Sequence, residues 1–150
     1  MLRVSTILHP TDFSDNSKTA LSVACALARD YGARLVVLHV AHVPTMEGYQ
    51  TVDPAAVRKD AENLLHTLQL PIETVRAERL CKVVELGETD ATIVSTAKEL
   101  GADVIVMGTH GRTGLKRVLM GSIAEHVLRQ APCLVLTASS NLTKEPTTPK

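Results

Sequence analysis

Aromatic side chains are nearly missing from this sequence. Its 150 residues include one Phe, two Tyr and no Trp. A surface that stacks exposed bases on rings is therefore not expected. An excess of either charge is also missing, because 16 Lys and Arg balance 16 Asp and Glu. That excludes a broadly basic nucleic-acid binder and a strongly acidic tail protein. Cysteine is scarce and odd in number, at Cys25, Cys81 and Cys133. No CxxC and no Cys/His finger spacing occurs, so buried thiols in a reducing compartment are expected. No apolar run approaches the ~18 residues of a membrane span. The stretch from Met1 to Pro10 is too short and interrupted for a signal peptide. A cytoplasmic chain with no membrane and no nucleic-acid partner is expected.

What is abundant is Ala, Val, Leu and Ile, within an apolar content of 45%. That composition suits parallel strands covered by helices, in a length that makes one domain. Val4–Leu8 reads as a strand ending at His9-Pro10. Ser14 or Asp15 starts a helix whose inner face carries Ala20, Leu21, Ala24, Leu27, Ala28 and Tyr31, with Gly32 as its left-handed cap. Arg34–Val40 is a buried strand, and Ala41–Thr51 a loop. Asp53-Pro54 opens a second helix with Val57, Ala61, Leu64, Leu65 and Leu68 inward, ended by Pro71. Cys81–Leu86 is the third strand. Glu88–Leu100 is the third helix, with Ile93, Ala97 and Leu100 inward and Gly101 as cap.

Asp103–Met107 is the fourth strand. A glycine-bearing loop runs from Gly108 to Gly121, with a short helix expected over 115–119. Ser122 caps a fourth helix with Ile123, Val127 and Leu128 inward. Cys133–Thr137 is the last strand, and 139–150 reads as a flexible tail. Alternating strands and helices predict an α/β fold over residues 1–138. Its form is one doubly wound, five-stranded parallel sheet of order 3-2-1-4-5, with about four helices on both faces. Ligands of such sheets bind past the carboxyl ends of the strands, where the order reverses. Here that point lies between strands one and four, at the loops Pro10–Ser14 and Gly108–Ser122.

Those loops carry the candidate chemistry. Gly108 and Gly111 permit positive φ and a close ligand approach. Gly121-Ser122 opens a helix whose N–H groups attract anions, and His110, Arg112, Lys116 and Arg117 add positive charge. A phosphate site and a plain surface turn with a helix cap both fit this spacing. Neither the Walker A pattern nor GxGxxG is present. Asp12 can accept from ribose hydroxyls, hold a hydrated Mg²⁺, or simply favour a helix N-terminus. Val40 can line a pocket for a flat base or belong to the core. His9, His39 and His42 gather near one edge, but they lack the i, i+4 pairing of a zinc set. No GxSxG, HExxH or paired carboxylates occur, so no catalytic residue is assigned.

The residues Gly108-x2-Gly111-x9-Gly121-Ser122 match G-x2-G-x9-G-[ST]. Together with Pro10-Thr11-Asp12-Phe13-Ser14 and Leu38-His39-Val40, they make the chain resemble the universal stress protein family over residues 2–138. The likeness is to the family's small, ATP-binding branch. The resemblance implies ATP, or AMP or ADP, between strands one and four, with Mg²⁺ as a further option at Asp12. It places Pro10, Thr11 and Asp12 in the first loop at the site, with Asp12 at ribose and phosphates. Val40 would contact adenine through its backbone, and Gly108 and Gly111 would lie against ribose and phosphates. Gly121 and Ser122 would hold phosphates, with Thr109, His110, Arg112 and Ile123 lining the site. It also implies a homodimer through Cys133–Thr137, whose apolar edge favours pairing independently. The function implied is a dimeric stress-response or signalling module that an unidentified protein partner could read. The alternatives are a slow Mg-dependent ATP hydrolase or adenylyl-handling enzyme, and a dimeric interaction protein with an idle site.

Overall fold

A computed structural model describes residues 2–70, 75–111 and 120–140. Five strands form one parallel sheet: β1 (Thr6–Pro10), β2 (Arg34–Ala41), β5 (Leu80–Leu86), β6 (Val104–Gly108) and β7 (Leu134–Ala138). Their order is β5-β2-β1-β6-β7, so the expected 3-2-1-4-5 pattern holds. Among the described residues four α-helices cover it: α1 (Asp15–Tyr31), α2 (Pro54–Thr67), α3 (Thr89–Leu100) and α4 (Ser122–Gln130).

The sheet's near-continuous apolar strands are explained by burial on both faces. Registers align Leu8 with Val36 on β2 and with Ile105 on β6, and Ile105 with Val135 on β7. One face sets Ile7, Leu35, Val37 and Val106 among Ala20, Leu21 and Ala24 of α1 and Leu65 of α2. The other sets Leu8, Val36, Leu38 and Ile105 among Ile93 and Ala97 of α3 and Val127 of α4. Gly32 and Gly101 end α1 and α3 at φ 62° and 59°, the left-handed geometry that glycine tolerates best.

Several expectations are corrected. The first strand continues through Pro10, since tertiary pairing with Leu38 holds it extended. The 41–51 stretch contains a two-stranded hairpin, β3 (Thr45–Met46) with β4 (Tyr49–Gln50). Its turn residues Glu47 and Gly48 both have positive φ, as a tight two-residue hairpin turn requires. Helix α2 stops at Thr67, before Pro71 is reached. A short 3-10 turn, Ala77–Arg79, leads into β5. Leu64, Ile123 and Leu128 are exposed, because each lies at the rim of its helix's apolar stripe, and Tyr31 is exposed as the last residue of α1. Of the cysteines only Cys25 is buried; Cys81 and Cys133 are half-buried, and no disulfide forms. The helix expected over 115–119 and the tail beyond Ser140 lie outside the described residues.

Candidate functional site

Strands β1 and β6 are neighbours whose following loops diverge, which opens a cleft at their carboxyl ends. The cleft holds about 210 Å³. Leu38 and Val40 of β2, Ile93 of α3, Met107 of β6 and Ala124 of α4 form an aliphatic wall. The rim is polar and comes from two loops, Pro10, Thr11 and Asp12 on one side and Gly108, Thr109, His110 and Gly111 on the other. Gly121, Ser122 and Ile123 close it at the start of α4. Eleven of the twelve residues expected at the site therefore meet at one cleft; the twelfth, Arg112, lies outside the described residues with Lys116 and Arg117.

The first loop is held by its own hydrogen bonds. The Phe13 N–H and the Ser17 hydroxyl both donate to Thr11 Oγ1, at 3.1 and 2.8 Å. The Thr11 side chain is thus turned toward α1, and Thr11 shapes the loop more than it faces a ligand. Asp12 Oδ1 accepts the Ser14 N–H at 3.0 Å, a local turn that fixes the carboxylate beside the cleft. Phe13 sits at φ 64°, a sparsely populated region for a bulky residue. Its ring lies 4.8 Å from that of His39.

The motif glycines act differently from the sequence expectation. Positive φ is not their purpose, for none of Gly108, Gly111 and Gly121 has it. Space is. A Cβ on Gly108 would stand 3.0 Å from the Asn16 backbone, and one on Gly111 2.9 Å from Asp12 Oδ2. A Cβ on Gly121 would stand 3.3 Å from the Thr109 carbonyl oxygen. The Gly121 N–H donates to that same carbonyl at 2.7 Å, which folds the end of the long loop back onto its start.

Ser122 is corrected too. Gly121, not Ser122, is the N-cap of α4, and Ser122 is the first helical residue with its hydroxyl released from capping. Among the described residues no side chain caps α4, and the N-cap residue of α3, Glu88, makes no side-chain cap bond; Thr89, the first residue of α3, also lines the cleft. By contrast Ser14 caps α1 and Asp53 caps α2. The α4 end, with its partial positive charge, thus opens into the cleft, whereas the Asp90 carboxylate accepts the Ala91 N–H at 2.8 Å in the first turn of α3. Ser17, Thr89 and Ile93 were missed in the sequence. The i, i+4 spacing of Thr89 and Ile93 was the available signal.

The histidines do not assemble a metal centre. His9 Nδ1 is 2.7 Å from the Val106 carbonyl and His39 Nδ1 is 2.9 Å from the Thr11 carbonyl, so each ring nitrogen donates to backbone. Among the described residues no cluster of three metal-ligating side chains occurs. Burial pushes the Cys133 thiol up from its ordinary range, the opposite of an activated nucleophile.

A doubly wound parallel sheet with a glycine-shaped cleft at its switch point defines a class of small α/β domains. The universal stress protein family model matches residues 4–138, and the chain belongs to that family. It is 33% identical over 135 residues to universal stress protein MJ0531 of Methanocaldococcus jannaschii, covering 87% of this chain and 79% of that one. Among solved structures it resembles the universal stress protein UspA from Lactobacillus plantarum, at TM-score 0.76 and 28% identity, covering 92% and 99% of the two chains. A universal stress protein from Archaeoglobus fulgidus, in complex with dAMP, shares the fold at TM-score 0.59 and 24% identity, covering 92% and 99%.

Proposed function

We propose that the chain is a nucleotide-binding universal stress protein whose cleft takes ATP, or AMP or ADP. The observation that carries this reading is the uncapped α4 N-terminus opening into the cleft beside Gly111 and Gly121. Backbone N–H groups there suit phosphate oxygens, and the Ser122 hydroxyl is placed to add one more donor. The aliphatic wall of Leu38, Val40, Ile93 and Met107 suits a flat base without stacking. Val40 ends that wall, where its backbone can bond the base edge, and Asp12 is the acceptor for ribose hydroxyls. The Archaeoglobus fulgidus protein's dAMP is consistent with this ligand class.

Mg²⁺ fits the same picture in a limited way. A hydrated Mg²⁺ needs only one or two carboxylates once phosphates are present, and Asp12 supplies one. The edge strand β7 presents Leu134 and Leu136 at 56% and 41% exposure, which supports pairing with a second copy. The role is then that of a cytoplasmic dimeric module whose nucleotide occupancy a protein partner reads.

Isothermal titration with ATP and with AMP tests the reading. Binding is expected, and silence at millimolar nucleotide would overturn it. The variant Gly121→Val, at φ −73° and ψ 160°, keeps a backbone that valine adopts easily. It should stay folded yet weaken ATP by at least about tenfold, because its methyls crowd the Thr109 carbonyl and the phosphate approach.

A further inference from the structure

Asn16 stands at the second position of α1 and faces neither core layer. Its side-chain amide bridges two distant segments. Nδ2 donates to the His110 carbonyl at 3.3 Å, and Oδ1 accepts the Ser140 N–H at 2.7 Å. Donor meets acceptor at both ends, so the amide's orientation is fixed by its partners. His110 belongs to the glycine loop at the cleft. Ser140 lies two residues beyond Ala138, the last residue of the edge strand β7.

The platform under this bridge is tight. The absent Cβ of Gly108 would stand 3.0 Å from the Asn16 carbonyl carbon and 3.1 Å from the Ser17 amide nitrogen. The first turn of α1 therefore rests close against the backbone at the end of β6, which sets the Asn16 side chain beside the loop that follows β6. A second, purely backbone route runs alongside. Gly121 N–H donates to Thr109 O, and Thr109 N–H donates to Ala138 O at 2.9 Å. The Asn16 route, unlike this one, reaches Ser140 through a side chain.

The geometry points to Asn16 as a positioning residue that holds the His110 peptide against the cleft and transmits its occupancy to the end of β7. The inference rests on the nucleotide reading above. A ligand whose phosphates engage the loop favours the one loop arrangement in which the His110 carbonyl meets Asn16. By linkage, that same contact strengthens ligand binding, and ordering at one end of the amide favours ordering at the other. Asn16 makes no contact with the ligand in this account. Its carboxamide works through His110 on one side and Ser140 on the other.

Amide exchange of the ¹⁵N-labelled full chain, read at Ser140 with and without saturating ATP, tests this, with calorimetry on the same samples. In the wild type, ATP should slow Ser140 exchange by about tenfold. Asn16→Asp keeps the acceptor for Ser140 but sets an oxygen against the His110 carbonyl. It should keep the ligand-free Ser140 rate and lose the response to ATP. Asn16→Ala should lose both. The Thr109 amide, on the backbone route, should respond to ATP in all three chains and so reports that the variants are folded and occupied. A Ser140 response that persists in Asn16→Asp or Asn16→Ala overturns the proposal, as does a wild type that binds ATP with no change at Ser140. Silent calorimetry overturns the nucleotide reading instead and, with it, the transmission of occupancy. The ligand-free rates then decide the bridge alone: faster exchange in Asn16→Ala upholds it, and equal rates refute it.

Discussion

His9 is fully buried, and among the described residues its Nε2 has no hydrogen-bond partner. Because Nδ1 donates to the Val106 carbonyl, the buried Nε2 carries a lone pair, and the ring is neutral. Burial lowers its pKa from 6.5 to about 4, outweighing the opposing pull of that carbonyl and of Asp12. The unfolded chain therefore binds a proton that the folded chain refuses between those two values. Stability is fully present above about pH 6.5 and falls as the pH drops toward 4, by on the order of 3 kcal/mol from this group. Urea titrations at several pH values should show that slope, and His9→Leu should flatten it. An unchanged slope in the variant would assign the acid sensitivity to other groups. Gly111 gives a second prediction at this scale. Its missing Cβ would meet Oδ2 of the Asp12 side chain rather than backbone, so Gly111→Ala should shift the melting temperature less than a backbone clash would. It should still weaken nucleotide binding several-fold by displacing Asp12. In contrast, Gly108→Ala drives a methyl against the α1 backbone and should cost about 1–3 kcal/mol of stability by chemical denaturation.

At the scale of elements, capping sorts the helices by role. α1 and α2 are capped by their N-cap side chains and pack as scaffold, whereas the N-cap residues of α3 and α4, both at the cleft end of the sheet, make no such bond. Much of this was legible. Asp53-Pro54, Gly32 and Gly101 marked helix ends, because capping is local chemistry that the sequence writes out. Ser122 misled, since serine next to glycine fits either N-cap or first helical turn, and only the Gly121 to Thr109 bond decides between them. Ile123 and Leu128 misled because a three-to-four spacing locates a face without giving its width. The hairpin at Thr45–Gln50 was hidden by its two-residue strands, too short to show alternation. Asn16 carried no signal, because both its partners are about a hundred residues away. The last strand yields a prediction of its own. Leu136→Lys puts charge on the exposed face of β7 and should shift the chain toward monomer in light scattering. A wild type that is already monomeric would remove the edge-pairing reading.

The whole molecule was the most legible level. Alternating strands and helices, with right-handed crossovers, leave few sheet orders, and the observed one brings the loops after β1 and β6 together. Eleven expected residues reach the cleft because topology, not local sequence, collects them. The scarcity of aromatics takes on meaning there: the wall a base would meet is Leu38, Val40, Ile93 and Met107. A titration of the labelled protein with ATP, followed residue by residue in its amide spectrum, tests the central claim directly. The account predicts shifts that concentrate at Val40, Gly111, Gly121 and Ser122. A spectrum unmoved at millimolar ATP, or shifts confined to the groove between α1 and α2 around Leu64 and Leu68, would contradict it.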